Sequence, residues 1–255
     1  MNNFKQIIRL SINDLKTKYS ATALGIVWAF IQPLCTILVF WFVFQVGLRT
    51  NPIDDVPYIL WYIAAYIPWI YYSDILSYGV NCLIEYNYLV KKVKFNVNYL
   101  PIIRVLSALF IHLFFLIFIY VIYGCYHYKI TIWSIQMLYC TLCVTILGWG
   151  TIMFLSALTC FFKDIANIVN IVLQIGFWAT PILWNIEDTE NSIKHIIQLN
   201  PICYVITGYR DSILYDIAFW KRPYEMLYFW VFTIFICILG LKTFNKMKVY
   251  FADEL

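Results

Sequence analysis

The chain has 255 residues, 63% of them apolar and 20% aromatic, with only 13% charged, a net charge of +4 and a mean hydropathy of +0.75. That composition excludes an ordinary soluble domain and describes a polytopic membrane protein, in which the placement of charge matters more than its sum. The eight cysteines are scattered singly. Cys140 and Cys143 form a CxxC inside an uncharged run with no histidine nearby, so packing in a buried helix is expected there rather than metal or redox chemistry. The first apolar run is too long for a cleavable signal peptide.

In chain order, residues 1–22 come first. Phe4, Ile8, Ile12, Leu15 and Tyr19 recur at helical spacing, with Lys5, Asn13, Asp14 and Lys16 between them. This is the pattern of an amphipathic helix lying in the plane of a bilayer surface, its polar side carrying Lys5, Arg9, Asp14, Lys16 and Lys18. Six segments then read as membrane spans: 24–47, 57–80, 101–124, 133–161, 165–186 and 224–242. Pro181 breaks the fifth. The stretch 187–222 is polar and irregular, and within it Ile196–Tyr209 is uncharged but only 14 residues long. That is too short to cross, so short re-entrant or interfacial helices are expected, broken at Asn200-Pro201 and at Gly208. The expected architecture is all-α, six spans in a single membrane domain over 1–255.

Lysine and arginine set the orientation. Lys5, Arg9, Lys16, Lys18, Lys91, Lys92, Lys94, Arg104, Lys163, Lys242, Lys246 and Lys248 fall on one side of such a bundle. Arg49, Lys129, Lys194, Arg210, Lys221 and Arg222 fall on the other. The positive-inside rule therefore places both termini in the cytoplasm.

Several residues stand out as functional candidates. Tryptophans ordinarily form interfacial belts. Trp28, Trp41, Trp61, Trp69 and Trp178 are also candidates to line a conduit, because aromatic faces stack on the apolar faces of sugars through weak, repeated contacts. In the cytoplasmic loop 81–99, Lys91, Lys92 and Lys94 suit a plain positive-inside loop. The flanking Tyr86, Tyr88, Leu89, Val90 and Phe95 suit instead a short helix docked on a partner. Asp74, late in the second span, is costly in lipid; it either snorkels or pairs with Arg104. His112 reads as a packed neutral imidazole or as a proton relay. The sequence has no phosphate-cradling GxxxxGK[ST] loop, no HExxH and no nucleophile elbow, so any energy source lies in another chain.

Five blocks in order carry a family resemblance: DLKTKYSATALGIVWAFIQPL at 14–34, LVKKVKFNVNYLPIIRVLSAL at 89–109, FFKDIANIVNIVLQIGFWATPILW at 161–184, LNPICYVITGYRDSIL at 199–214 and YFADEL at 250–255. With these the whole chain resembles the permease subunits of bacterial polysaccharide ABC exporters, type-2 transporters that move O-antigen, teichoic acid or capsule. Ala23 after Thr22, Asn96 in place of a proline, and Thr180 in place of a serine depart from the family pattern. The resemblance implies a homodimer of six-span subunits in the bacterial inner membrane, bound to two copies of a separate ATPase that holds ATP and magnesium. This chain itself would carry no cofactor, metal or catalytic residue and bind no nucleic acid. The 81–99 loop would seat in the ATPase, 187–222 would form an external gate, and undecaprenyl-linked polysaccharide would pass among spans one, two and five. A drug or lipid permease of the same fold is the alternative, and a membrane glycosyl- or acyltransferase a more distant one.

Overall fold

The computed structural model describes residues 3–20, 22–91 and 95–254, so Lys92 and Lys94 of the expected docking loop lie outside the described residues. Helix α1 spans Asn3–Lys18. A tight reversal follows, in which the Ser20 and Thr22 hydroxyls donate to the carbonyls of Thr17 and Tyr19. It ends at Gly25, whose φ of +54° is left-handed and favours glycine. The chain then enters a 3-10 turn and helix α2, Trp28–Trp41, which continues as a π-helical turn over Phe42–Gly47.

Helix α3, Tyr58–Gly79, is enclosed on nearly all sides by α2 and the later helices. Two short helices, α4 at Cys82–Glu85 and α5 at Asn87–Val90, lead to α6 at Tyr99–Cys125. Then come α7 at Gln136–Thr159, α8 at Asp164–Ala179, α9 at Asn191–Gln198, α10 at Pro201–Ile213, α11 at Pro223–Met247 and α12 at Phe251–Glu254. Among the described residues the fold is helical, with one isolated β-bridge, Ile53 to Val56.

Among the described residues four helical stretches are long and apolar enough to cross a membrane: Gly25–Gly47, Tyr99–Cys125, Ile132–Thr159 and Pro223–Glu254. The other two expected spans are also helical but differ in kind. Helix α3 is long enough, yet Tyr58, Tyr62, Tyr66, Tyr71, Tyr72, Asp74 and Tyr78 lower its hydropathy. Helix α8 has only 16 residues, about 24 Å of rise against a hydrocarbon core of about 30 Å. Pro181 stops it early by holding Thr180 extended, at φ −83° and ψ 143°.

Helices α7 and α11 meet through small residues. A Cβ on Gly240 would lie 2.5 Å from the Gly150 carbonyl oxygen, and one on Gly150 would lie 2.6 Å from Cys237 Sγ. Asn200 caps α10 by accepting from the Ile202 N–H, with Pro201 at the first helical position. Gly208, by contrast, does not break the chain. It lies inside α10, where a Cβ would be 2.8 Å from the Cys140 sulfur, so its role is close packing.

The backbone turn 180–183 that follows α8 is buried and held by three side chains. Arg210 donates to the carbonyls of Pro181 (2.8 Å) and Ile182 (3.1 Å), the Tyr58 hydroxyl donates to that of Leu183 (2.9 Å), and the Asn200 amide donates to Thr180 Oγ1. The Arg210 guanidinium also lies 3.3 Å from the Trp61 ring centroid.

Candidate functional site

A cavity of about 660 Å³ opens between α2, α3, α6 and α8. Helix α3 forms its longest wall, from Tyr66 through Trp69, Ser73 and Asp74 to Tyr78, about 18 Å along the axis. Tyr66, Trp69 and Ser73 recur at three- and four-residue spacing and share one helix face, while Asp74 and Tyr78, four residues apart, line the space from the side next to it. Helix α2 contributes Gln32, Pro33, Thr36 and Phe40 at the same spacing, α6 contributes Ala108, Ile111, His112 and Phe115, and α8 contributes Asn170 and Phe177.

One face of the cavity is aromatic. The Phe177 ring lies 5.8 Å from Phe40, 6.3 Å from Tyr66 and 6.1 Å from Trp69. Tyr62 stacks on Tyr66 at 5.2 Å, and Tyr58 on Tyr62 with planes 2° apart, which carries the ring ladder into the core. Gly176 leaves room for the Trp69 indole, 3.0 Å from where a Cβ would sit. Rings and short uncharged polar groups alternate around this space, a lining that receives an apolar ring face and its hydroxyl edge together.

Ion pairs knit the end of the bundle next to the cavity. Lys18 Nζ lies 2.5 Å from Asp74 Oδ1 and 3.5 Å from the centre of the Tyr78 ring. Burial pushes the Lys18 ammonium below the ordinary lysine pKa, with Asp74 opposing that shift. Arg104 pairs with Asp14 at 2.8 Å and also with Glu85, while the Tyr86 hydroxyl donates to Asp14. Helices α1, α3, α4 and α6 are thus joined through charged groups, several of them buried.

These contacts correct four expectations. Asp74 pairs with Lys18 and not with Arg104, because Arg104 is engaged by Asp14 and Glu85. Lys18 leaves the polar outer face of α1, where Lys5, Arg9 and Lys16 remain exposed. The side of α1 that docks on the protein carries Ser11, Asp14 and Leu15, while Phe4 and Ile12 of the expected apolar face stay exposed. In the docking loop, Leu89 and Val90 are buried in the protein's own cluster with Phe244 and Phe251. Tyr86 turns inward, and Phe95 packs edge-on against Tyr99. Among the described residues of that candidate set, Tyr88 and Lys91 are the exposed ones.

The tryptophans separate as well. Trp69 lines the cavity. Trp61, only 2% exposed, is committed to Arg210. Trp41 is half-buried, and Trp28 and Trp178 are exposed on α2 and α8. Tyr66, Phe177, Gln32 and Asn170 went unpredicted as lining residues. The four-residue recurrence of Tyr58, Tyr62 and Tyr66 is a sequence signal for Tyr66 alone, and it says nothing of the other three.

Taken together, the apolar helices, the cavity among them and the buried charges beside it fit a multi-pass membrane protein of the transport class. Residues 5–214 match the family model described as ABC-2 type transporter, and the chain belongs to that family. Its relatives include two proteins of Klebsiella pneumoniae, each named O-antigen export system permease protein RfbA. One is 26% identical over 261 residues and the other 26% over 260, each alignment covering 99% of this chain and 95% of the relative. A Myxococcus xanthus protein of the same name is 28% identical over 221 residues, covering 82% of this chain and 80% of its own.

Proposed function

We propose that this chain is the membrane-spanning subunit of an ATP-driven exporter that carries lipid-linked polysaccharide, O-antigen in particular, across the bacterial cytoplasmic membrane. The observation that carries this reading is the aromatic and polar cavity in a chain that aligns end to end with O-antigen export permeases. The family is one of transport subunits, and the sequence has no nucleotide-binding loop. ATP and magnesium are therefore assigned to a separate ATPase, two copies of which serve a homodimer of this chain.

In this reading α2, α3, α6, α7, α8 and α11 are the six spans. Helix α3 tolerates its tyrosines because other helices enclose it, and α8 is completed across the bilayer by the buried turn 180–183 and the segment after it. Both termini are cytoplasmic. The segment 1–22 is the interfacial helix at which an undecaprenyl-linked glycan enters from the surrounding lipid, and 81–99 is the coupling segment that meets the ATPase. The short helices α9 and α10, within 187–222, form the external gate. The polymer passes along α2, α3 and α8, where Tyr66, Trp69 and Phe177 offer ring faces to successive sugars.

The test is complementation in cells lacking the gene, read as surface polysaccharide against the membrane abundance of the permease. Tyr66→Ala with Trp69→Ala is expected to abolish surface polymer while at least half of the protein remains in the membrane. Undiminished export would overturn the reading, and so would a parallel loss of protein and polymer.

A further inference from the structure

Helix α8 presents two unlike edges on its exposed side. At about 100° of turn per residue, Lys163, Gln174 and Asn167 stand within about 60° of Asn170, which lines the cavity. They stand on the side turned away from the core. The next arc carries Ile168 (56% exposed), Ile171 (56%), Val172 (60%) and Ile175 (63%). The buried side, with Val169 and Leu173, packs towards α3 and α7. An amide edge thus separates the cavity from an apolar edge, along about 10 Å of axis from Asn167 to Gln174.

Asn167, Asn170 and Gln174 are exposed, and none of their side chains makes a hydrogen bond among the described residues. Gln32, in the α2 wall of the same cavity, is exposed and free in the same way. Gln32 and Thr36 also line an open hollow of about 410 Å³ with Trp28, Cys35 and Val39. Polar surface therefore runs from the cavity round the outer side of α2. The two walls approach each other at Phe40 and Phe177, whose rings are 5.8 Å apart.

A bare amide in hydrocarbon forfeits up to four hydrogen bonds that water or a polar ligand would supply. The apolar edge of α8 already offers the surface that lipid or a second copy of the chain would cover. The amide edge suits a wet path instead, and its place on the rim makes it continuous with the cavity. Each amide donates as well as accepts, so the edge bonds hydroxyls in either role and does not repel a phosphate group.

Resting on the exporter reading, we infer that Asn167, Asn170 and Gln174, with Gln32 on the other wall, form a water-exposed amide strip that hydrogen-bonds the hydroxyls of the passing sugar chain.

The test has two arms, both using the full chain with its ATPase in cells lacking the gene. The first starts from Cys35→Ser with Cys125→Ser, which removes the exposed native thiols. On that background Asn167→Cys, Asn170→Cys and Gln174→Cys are compared with Ile168→Cys, Val172→Cys and Ile175→Cys. A permanently charged methanethiosulfonate is expected to label the first three about tenfold faster, because the reactive thiolate forms in water and not in lipid. Labelling of Asn170→Cys is expected to slow severalfold while polymer is being made. In the second arm, Asn167→Leu, Asn170→Leu and Gln174→Leu are combined. Surface polymer is expected to fall about tenfold, the worth of one or two hydrogen bonds, at unchanged membrane abundance. Asn167→Gln, Asn170→Gln and Gln174→Asn combined keep the amides and are expected to recover most of the export. The inference is overturned if the two cysteine sets label alike, if polymer synthesis leaves the labelling unchanged, or if the leucine variant exports normally. It is also overturned if that variant loses abundance in step with export, which would make the amides a bond between helices or between copies. Polymer export by the unaltered chain in the same cells is scored separately. Export with these patterns absent rejects the amide strip alone, whereas absent export rejects the exporter reading.

Discussion

Replacing Arg104 with methionine tests the charged junction most directly. The Arg104 and Asp14 side chains are 4% and 2% exposed, so each has given up its water and depends on the other. Methionine fills much of the arginine volume but leaves the Asp14 carboxylate with the Tyr86 hydroxyl in place of a counter-charge. Stranding one partner of a buried pair costs about 3–5 kcal/mol. The Glu85 side chain is 48% exposed, and its bond to the same guanidinium is largely screened by solvent. Glu85→Gln is expected to cost less than about 1 kcal/mol. Arg104→Met combined with Asp14→Asn removes both buried charges and should recover most of the loss, giving a coupling energy of opposite sign to the single effects. The assay is denaturant unfolding of the purified protein in detergent, run as a double-mutant cycle. Two results would refute the reasoning: Arg104→Met no worse than Glu85→Gln, or a double variant whose cost is the plain sum of the singles.

Three further outcomes follow from backbone geometry. Gly25→Ala is expected to cost about 1–2 kcal/mol, because nothing within 4 Å obstructs the added methyl group and the whole penalty is the left-handed φ. Gly25→Asn should then cost less, as the same unfolding measurement would show. Gly240→Val forces α11 away from the Gly150 carbonyl and is expected to lose about 1–3 kcal/mol and with it membrane abundance; an unaffected yield would mean that the two helices slide freely. Arg210→Met leaves the carbonyls of Pro181 and Ile182 without donors, at about 1–3 kcal/mol each. Amide hydrogen exchange should accelerate across 180–185, more than it does in Tyr58→Phe, which frees the Leu183 carbonyl alone.

Sequence periodicity revealed the helices because burial repeats with the turn of each one. The boundaries of α6, α7 and α11, and of α2 with its flanking 3-10 and π turns, follow the expected spans within a few residues. Partner choice was much less legible. Lys18 has the same side chain as the exposed Lys16, and only the approach of Asp74, 56 positions later, turns it inward. Asp74 is costly to leave unpaired in lipid, and nothing local in the sequence points to Lys18 as its counter-ion. The apolar residues just before Lys91 find their partners within the chain itself. Leu89 and Val90 bury themselves in the chain's own C-terminal cluster with Phe251, a contact across more than half the sequence.

Helix α3 shows why the cavity was the hardest feature to read. Hydropathy measures fitness for lipid, and by that measure α3 ranks below α2 and α11 because of its tyrosines. Those tyrosines mark a helix whose environment is protein. Tyr58 finds the Leu183 carbonyl, Tyr71 finds Thr145, and Tyr66 and Trp69 face the cavity. A helix surrounded by other helices is free to carry polar rings that a lipid-facing one excludes. The low hydropathy of α3 and the presence of the cavity therefore have one cause: this helix is the inner wall of the bundle. Substituting leucine at Tyr66 and Tyr71 should raise the hydropathy of α3 without harming its insertion, while removing two polar rings from the cavity wall, and membrane abundance against export in the complementation assay would show it.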